Sequence, residues 1–316
     1  MKRYILTLII ALTASANVWA EEITKHTHLY AVKGADSLYL DHYVAPVEGK
    51  RPCMIFVFGG GFSRGERCNE LYLNYFKYLT KQGLDVVSID YRLGLKKLRG
   101  TGTAGYSIKD MVALFNNTVN MAVEDLFSAT LYIMDNAEEW NIDTTNILTS
   151  GSSAGAITVL QAEHNICNKS SLAAMLPEGF NYAGVISFAG AIFSTKGTPK
   201  WDSQPAPIML FHGDADTQVP YDKASLLGVG FYGSKFLSEE FEKRGWSYWF
   251  YSITNDTHNV AGTPMYDNLN EIATFIKDFA IDRRPLQITT MESDGKLPER
   301  KKKFKVMDYV KANYGG

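Results

Sequence analysis

Two stretches of this chain have the residue pattern of a serine nucleophile held in a tight turn. Gly-x-Ser-x-Gly occurs at residues 151–155, centred on Ser153, and again at 61–65, centred on Ser63. The first copy lies between a short apolar run and an apolar helical pattern, the strand-to-helix context that exposes a serine hydroxyl. We therefore take Ser153 as the candidate nucleophile, with a Gly/Ser-rich turn without chemistry as the alternative. We do not take Ser63 as the nucleophile, because the strand before it comes early in the chain, before most strands of the expected sheet.

Three consecutive glycines at residues 59–61 directly follow the apolar run 53–58. Glycine permits a backbone in which successive N–H groups point the same way. Such donors stabilise the oxyanion that forms during acyl transfer. We interpret the N–H groups of Gly60, Gly61 and Ala154 as candidate oxyanion donors, with a simple tight turn after a strand as the alternative.

An acid and a histidine follow two later apolar runs. Asp216 comes shortly after the run 207–212, and His258 lies in the loop after the run 247–253. A carboxylate at the end of a strand can hold an imidazole in the tautomer that a general base needs. We take Asp216 as the acid, with Asp214 as the fallback, although Asp214 is better suited to capping its own turn.

The other five histidines are less suited to act as a base. His212 ends a predicted strand and is expected to be a packed, hydrogen-bonded side chain. His26, His28 and His42 lie in a predicted N-terminal hairpin. His164 lies near the end of the helix after the candidate nucleophile and points away from the turn. His258 is therefore the candidate base.

Short apolar runs alternate with amphipathic stretches along most of the chain. The expected strands are residues 28–32, 38–45, 53–58, 85–90, 146–149, 184–188, 207–212 and 247–253. The expected helices are residues 69–81, 117–139, 154–165, 235–243 and 266–281. Several runs are apolar throughout, as in strands buried on both faces, so the alternation predicts an α/β fold with a mostly parallel sheet covered by helices on both faces. The first two strands have no helix between them and are expected to form an antiparallel edge hairpin.

Three long segments, residues 94–116, 167–182 and 191–206, have no regular pattern. Long segments of this kind often carry binding residues. We expect them to form a small lid made of loops. Aromatic side chains in these segments, including Phe193 and Trp201, either stack on a sugar or aromatic ring or pack the lid itself.

The order of these parts, oxyanion glycines, serine, acid and histidine, resembles the α/β-hydrolase superfamily. Within it, the chain is similar to the carboxylesterases and the hormone-sensitive-lipase-like esterases. The resemblance covers residues 35–282 and is carried by the motifs at 58–62, 90–92, 151–155 and 212–220. It implies an α/β-hydrolase fold and a catalytic triad of Ser153, His258 and Asp216 that needs no metal and no cofactor.

The implied activity is that of a serine carboxylesterase acting on short-chain or aromatic acyl esters, with deacylation of carbohydrates as a candidate reaction. The expected partner is a small-molecule or carbohydrate ester. Two alternatives stay open, since one fold supports many functions. One is a serine peptidase of the same fold, although the propeller domain usual in such peptidases is absent. The other is a catalytically inactive hydrolase fold used as a binding module.

The chain departs from the family pattern at two places. Phe58 stands where these esterases usually have a histidine that braces the oxyanion loop, which puts the bracing of the loop in doubt and leaves the triad unaffected. The Asp-Tyr-Arg motif at 90–92 is not followed by the usual Ala-Pro-Glu, which predicts a differently shaped loop up to Asn116. Asp125 lies where related esterases carry an acid, and we interpret it as structural.

Composition limits the function classes. Of the 316 residues, 46% are hydrophobic and 21% are charged, which is typical of a globular protein. The formal net charge is −2, so nothing indicates binding to a nucleic-acid backbone. Three cysteines without a Cys-x-x-Cys spacing argue against a disulfide scaffold and against a cysteine zinc site. The one disulfide considered joins Cys68 to Cys167.

The first twenty residues have the features of a secretory signal peptide. Lys2 and Arg3 precede an apolar segment of about ten residues, and residues 18–20 form a small-x-small cleavage site. Because the apolar segment is too short to span a bilayer, an uncleaved anchor is the less favoured alternative. We therefore expect an exported protein, periplasmic or secreted, without stable membrane insertion after cleavage.

Charge is divided unevenly along the rest of the chain. Residues 283–316 contain nine basic and four acidic side chains, whereas residues 21–282 contain 21 basic and 30 acidic ones. We therefore expect a catalytic domain at 21–282 and a basic C-terminal tail at 283–316. The run 300–303 is typical of a solvated face, and contact with a polyanion or a membrane surface is the alternative. The oligomeric state is left open.

Overall fold

The computed structural model describes residues 23–99, 102–103, 105–293, 295–302, 304–305 and 308. The predicted signal peptide, residues 1–20, lies outside this part of the chain. None of the helices in the described part of the chain combines the length and the apolar character that a membrane span requires. The strands, in chain order, are β1 (Lys25–Lys33), β2 (Asp36–Tyr43), β3 (Arg51–Val57), β4 (Asp85–Ile89), β5 (Ile142–Ser152), β6 (Gly184–Phe188), β7 (Ala191–Ser194), β8 (Ile208–Gly213), β9 (Lys223–Leu226), β10 (Val229–Gly233), β11 (Tyr248–Ile253) and β12 (Gln287–Glu292).

Nine of these strands form one central sheet in the order β1-β2-β4-β3-β5-β6-β8-β11-β12. β2 pairs antiparallel with both β1 and β4, as expected for an edge hairpin. All pairings from β4 across to β12 are parallel. β4, β6 and β8 are buried along their whole length, which matches their continuous apolar runs. The predicted mostly parallel sheet is therefore confirmed.

Helices cover the central sheet. They are α1 (Leu73–Lys81), α2 (Ile108–Asp135), α3 (Ala137–Trp140), α4 (Ala154–Cys167), α5 (Ser234–Arg244), α6 (Pro264–Asp267) and α7 (Leu269–Phe275). Shorter helical turns are 3-10 segments at Glu70–Tyr72, Lys96–Leu98, Ala173–Met175 and His258–Ala261, and a π-helical segment at Ile276–Ile281. One group of packed helices contains α1, α6 and α7, and another contains α2 and α4.

The direction in which strands are added to the sheet changes beside β3. From β3 the chain moves to β4 on one side, whereas β5, β6 and β8 are added in turn on the other side. In open α/β sheets, ligands bind at the carboxyl ends of the strands beside such a switch point. The loops after β3, β5, β8 and β11 meet at this edge, and each carries one of the predicted site motifs.

α2 begins at Ile108, nine residues before the predicted start at 117. A capping box explains this boundary. The Ser107 side chain accepts a hydrogen bond from Asp110 N, and the Asp110 carboxylate accepts one from Ser107 N. The signal lies inside the segment 94–116, where the hydrophobic pattern alone showed no helix.

A second, antiparallel sheet with the order β7-β10-β9 stands in place of a lid made only of loops. β7 and β9 are four residues long, too short to show an alternating pattern in the sequence. Phe193 of β7 and Phe231 of β10 pack against Phe115 of α2. Phe115 in turn contacts Phe62, which directly follows the three glycines. The small sheet is thereby anchored to the glycine loop through packed aromatic rings.

The central sheet continues past the domain boundary expected at residue 282. β12 pairs parallel with β11 and forms the last strand, although its residues alternate between exposed and half-buried. That alternation explains why the sequence shows no continuous apolar run there. Beyond β12, Lys302 Nζ contacts Asp214 Oδ2 at 2.6 Å and Phe304 packs against the core. Part of the basic segment therefore belongs to the folded domain.

The three cysteines are all free. Cys53 is buried in β3 and Cys167 is buried at the end of α4, where its Sγ lies 3.5 Å from Glu163 Oε1. Cys68 is exposed in the loop before α1. The pairing of Cys68 with Cys167 that the sequence analysis considered is therefore wrong.

Candidate active site

Ser153 stands between β5 and α4 with φ 51° and ψ −113°, a combination that residues other than glycine rarely adopt. Hydrogen bonds hold the turn, from Ser153 N to Phe188 O at 2.9 Å and from Ile157 N to Ser153 O at 2.9 Å. Such backbone strain costs about 1–3 kcal/mol and persists only where the surrounding structure imposes it. The predicted nucleophile therefore sits on a sharp strand-to-helix turn.

Close backbone contacts require glycine at both of the motif positions that flank Ser153, residues 151 and 155. A Cβ on Gly151 would lie 2.4 Å from the carbonyl group of Gly155. A Cβ on Gly155 would lie 2.0 Å from Val57 O and 2.7 Å from Phe58 O. The first turn of α4 thus packs directly against the end of β3, and only glycine fits at either position.

Ser153, His258 and Asp216 form a chain of hydrogen bonds. His258 Nε2 lies 2.7 Å from Ser153 Oγ, and His258 Nδ1 lies 2.7 Å from Asp216 Oδ2. An ionised carboxylate can only accept, so Nδ1 carries a proton and Nε2 of the neutral ring accepts the serine O–H. This is the tautomer in which an imidazole can remove the proton of a serine hydroxyl. The structure thus brings together the three residues that the sequence predicted.

Asp216 is buried and held by several donors. Burial acts to raise its pKa, but the electrostatic interaction with His258 and hydrogen bonds from His212 and His258 outweigh burial, so the pKa of Asp216 lies well below its usual range. Its other oxygen, Oδ1, accepts from Gln218 N at 2.7 Å and Val219 N at 3.0 Å. The carboxylate is therefore ionised at neutral pH and fixed in orientation.

His212 contacts the candidate acid, a contact that the sequence did not reveal. Its Nε2 lies 3.2 Å from Val219 O and 3.3 Å from Asp216 Oδ2. Because both are acceptors, Nε2 carries a proton, and Nδ1 of the neutral ring accepts from the Ser234 hydroxyl at 2.8 Å. The expectation of a packed, hydrogen-bonded histidine is confirmed, since His212 is fully buried. Asp214, the fallback acid, instead accepts from the backbone N–H of Asn255.

The glycine loop after β3 lies against the candidate nucleophile. A Cβ on Gly59 would lie 3.3 Å from Ser153 Cβ. The loop then turns through Gly60 at φ 125° and Gly61 at φ 61°, and a hydrogen bond from Ser63 N to Gly60 O at 3.1 Å closes it. The predicted oxyanion donors Gly60 and Gly61 therefore directly follow a glycine in contact with the serine.

Ala154 is the first residue of α4. The first N–H groups of a helix have no carbonyl partner within that helix, and the helix dipole favours negative charge at this end. Because Gly155 packs on the end of β3, the start of α4 and the glycine loop approach Ser153 together. This arrangement can stabilise negative charge on an oxygen bound beside Ser153.

Tyr91 supports the glycine loop at Phe58, the position where the family usually has a bracing histidine. The Tyr91 hydroxyl donates a hydrogen bond to Phe58 O at 3.0 Å, and the two ring centroids are 4.5 Å apart. Packing and a tyrosine hydroxyl thus brace the loop. The next residue, Arg92, donates from its backbone N and its guanidinium to the buried Asp125, which confirms that Asp125 is structural.

Three other residues that the sequence analysis considered make hydrogen bonds or packing contacts within the fold. Ser63, the centre of the second motif, donates its hydroxyl to Gly60 O at 3.2 Å. Phe193 and Trp201 are buried, and Trp201 packs against Phe241. Of the two interpretations given for these aromatic residues, packing is therefore the one that the structure supports.

The remaining histidines lie away from Ser153, as predicted. His26 and His42 face each other across β1 and β2, and His28 lies two residues further along β1. His42 Nε2 contacts the buried Asp85 Oδ2 at 2.7 Å. His164 bonds to Lys200 O. Among the residues described by the structure, no group of three or more His, Cys, Asp or Glu side chains is arranged to hold a metal ion.

Comparison with known proteins agrees with this fold. Residues 40–192 match the model of the BD-FAE family. Gut esterase 1 of Caenorhabditis briggsae is 29% identical over 152 residues, which is 46% of this chain and 25% of that protein. Fumonisin B1 esterase of Sphingopyxis macrogoltabida is 31% identical over 133 residues, which is 38% of this chain and 22% of that protein. The chain thus spans about a quarter of the length of these curated relatives.

Solved structures of an esterase share the fold. The apo form of Thermogutta terrifontis esterase 2 superposes with a TM-score of 0.58 at 18% identity, covering 85% of this chain and 98% of that one. The propionate-bound form of the same esterase superposes with a TM-score of 0.56 at 19% identity, covering 83% and 95%. At this level of identity the likeness concerns the fold. Together with the nine-stranded sheet and the turn at Ser153, these matches show that the chain has the α/β-hydrolase fold, and residues 40–192 match the model of the BD-FAE family.

Proposed function

We propose that this chain is a serine carboxylesterase that hydrolyses short-chain or aromatic acyl esters. The observation that carries the proposal is the hydrogen-bonded chain from Ser153 through His258 to Asp216, with both links at 2.7 Å. The esterase activity of the relatives supports the reaction class.

In the proposed reaction, Ser153 Oγ attacks the ester carbonyl while His258 Nε2 takes its proton. Asp216 orients the ring and stabilises the imidazolium that forms. The carbonyl oxygen becomes an oxyanion bound by the N–H groups of Gly60, Gly61 and Ala154. His258 then donates its proton to the leaving alcohol, and a water molecule activated by the same histidine hydrolyses the acyl enzyme.

A packed aromatic cluster lies beside the glycine loop, and we propose a short or aromatic acyl group for the ester. Phe62, Phe115, Phe193 and Phe231 are buried against one another, with ring centroids 4.7–5.7 Å apart in the contacts that join them. This packed cluster holds the small sheet close to the glycine loop. The alcohol that we propose is a small molecule or a carbohydrate.

The test compares acetyl, butyryl and octanoyl p-nitrophenyl esters and a feruloyl ester in the wild type, Ser153→Ala and Ser37→Ala. Ser37 is an exposed serine on β2, the strand next to the edge strand β1, and serves as the control. We expect Ser153→Ala to lose turnover and Ser37→Ala to retain it. A fluorophosphonate probe should label the peptide that contains Ser153 and leave Ser63 unlabelled.

The two alternatives give different results. Cleavage of peptide substrates, together with no hydrolysis of any of the esters, indicates a serine peptidase. No turnover and no fluorophosphonate labelling indicates a binding module. Near-wild-type ester hydrolysis by Ser153→Ala contradicts the proposed nucleophile.

Export through the predicted signal peptide is part of the proposal. Its support is the sequence pattern of residues 1–20. Mass spectrometry of the N-terminus of the protein from its native cells should show a chain that starts at Glu21. An intact N-terminus retained in the cell contradicts export by cleavage.

A further inference from the structure

An arginine stands beside the proposed oxyanion donors. Arg64 belongs to the glycine loop, and its Cγ lies 3.1 Å from where a Cβ on Gly60 would stand. Its backbone N–H donates to Gly60 O at 3.2 Å, which fixes the start of the side chain next to the donor. The residue is exposed, and it belongs to the same loop as the proposed oxyanion donors Gly60 and Gly61.

The guanidinium of Arg64 has no hydrogen bond or ion pair in the described part of the chain, and the neighbouring acid Glu66 makes none with it. Five other arginines do have such partners: Arg51, Arg67, Arg92, Arg244 and Arg284. A guanidinium presents its N–H groups as a flat fork that matches the two oxygens of a carboxylate. Arg64 therefore offers an unused binding group for an anion beside the site.

A second basic segment borders the same loop. Leu95 N donates a hydrogen bond to Phe62 O at 3.0 Å, which joins the segment to the residue after the glycines. The turn Lys96–Leu98 follows, and both of its lysines and the next residue, Arg99, are exposed. Four cations are thus concentrated beside one loop of a domain in which acidic side chains outnumber basic ones. Such a patch attracts anionic ligands and raises their local concentration.

We infer that the substrate is an ester that also carries a carboxylate group, which Arg64 binds while the ester carbonyl lies against the glycine loop. The inference rests on the proposed function and names the substrate class of the same site. Arg64 acts in it as a specificity-determining residue, and the exposed cations at 96, 97 and 99 steer the anion toward the site.

The test uses two acetyl esters that are close in shape and differ in charge, 4-acetoxybenzoate and 4-acetoxybenzamide. We compare kcat/KM for the two esters in the wild type, R64Q, R64K and R283Q, each at low and high salt. Arg283 is the control because it is exposed and lies beside Thr145 and Ser247, at the opposite edge of the sheet. The readout is the ratio of the two kcat/KM values, which a general loss of active enzyme does not change.

We expect the wild type to prefer the carboxylate ester. The ratio should fall about tenfold in R64Q and about twofold in R64K. Lysine keeps the positive charge but lacks the planar set of N–H donors of a guanidinium. R283Q should keep the wild-type ratio, and high salt should lower the ratio in the wild type.

A wild-type ratio near one, or equal ratios in the wild type and R64Q, overturns the inference. The esterase proposal then still stands, because Ser153 is still required for hydrolysis of both esters. If neither ester is hydrolysed in a Ser153-dependent way, the proposed function fails and the inference fails with it.

Discussion

The hydroxyl of Ser152 donates a hydrogen bond to the carbonyl oxygen of Ala261 at 2.8 Å. Ser152 directly precedes the proposed nucleophile, and Ala261 ends the helical turn His258–Ala261 that begins with the proposed base. The bond thus joins the end of β5 to a turn 109 residues further along the chain, beside the Ser153–His258 contact. We therefore expect the Ser152 hydroxyl to help position the proposed base.

Ser152→Ala should lower kcat about tenfold, because the His258 turn loses its link to β5 and a small displacement of a catalytic group is costly. KM should change little. Steady-state kinetics on p-nitrophenyl acetate measures this. Ser238→Ala is the matched control, since Ser238 is also buried and donates its hydroxyl to a backbone carbonyl, that of Lys235. Equal kcat values in the two variants would show that the link has no positioning role.

Gly155→Ala should unfold the turn or prevent soluble expression. The added methyl group would lie 2.0 Å from Val57 O, and overpacking of this kind costs about 3 kcal/mol of unfolding free energy. Gly295→Ala is the control, because a Cβ there meets no atom within 4 Å. The stability of both variants is measured by thermal unfolding, and their activity by ester hydrolysis. A stable, active Gly155→Ala protein would contradict the close packing of α4 on β3.

Tyr91→Phe should lower kcat by about five- to tenfold, because Phe58 O loses its donor and the oxyanion loop is less well fixed. Tyr182→Phe is matched to it, since the buried Tyr182 hydroxyl bonds to Thr130 and takes no part in the proposed site. We expect Tyr182→Phe to lose about 1 kcal/mol of stability with kcat retained. Equal kcat losses in both variants would indicate a general effect on folding.

Glu163→Gln should change how stability depends on pH. Burial raises the pKa of Glu163 above its usual range, and hydrogen bonds from Ala206 N and from Asn181 only partly oppose this. A carboxyl group whose pKa is raised by folding stabilises the protein below its unfolded pKa, about 4.5, and this contribution is lost as pH rises through the folded pKa. The neutral glutamine has no such dependence.

The unfolding free energy of Glu163→Gln relative to the wild type should therefore increase from pH 5 to pH 8. Urea unfolding at the two pH values measures this difference. Glu178→Gln, at an exposed position, should show no such change. A constant difference between Glu163→Gln and the wild type at both pH values would contradict a pKa raised by burial.

The sheet and the site were predictable because their signals are local and strong. Buried parallel strands appear as continuous apolar runs, and the motifs around Ser153 and Asp216 directly follow two of them. His258 follows another such run, so its position at the same edge follows from the parallel order of the strands. These signals depend on a few neighbouring residues only.

The contacts that support the site were not predictable in the same way. His212 and Ser152 reach their partners through the folded sheet, and no spacing in the sequence indicates which atoms meet. β7, β9, β10 and β12 were missed because short or half-exposed strands show no continuous apolar run. The early start of α2 was missed for a different reason, since its signal is the capping box at Ser107 and not a hydrophobic pattern.

The switch in strand order beside β3 has a consequence for folding kinetics. The loops that meet there contribute Gly60, Ser153, Asp216 and His258, so the site is built from segments far apart in the chain. Contacts between such distant segments form slowly, because the chain between them must first be ordered. Recovery of catalytic activity during refolding therefore reports completion of the sheet from β3 to β11, and it follows any signal that reports helix formation alone.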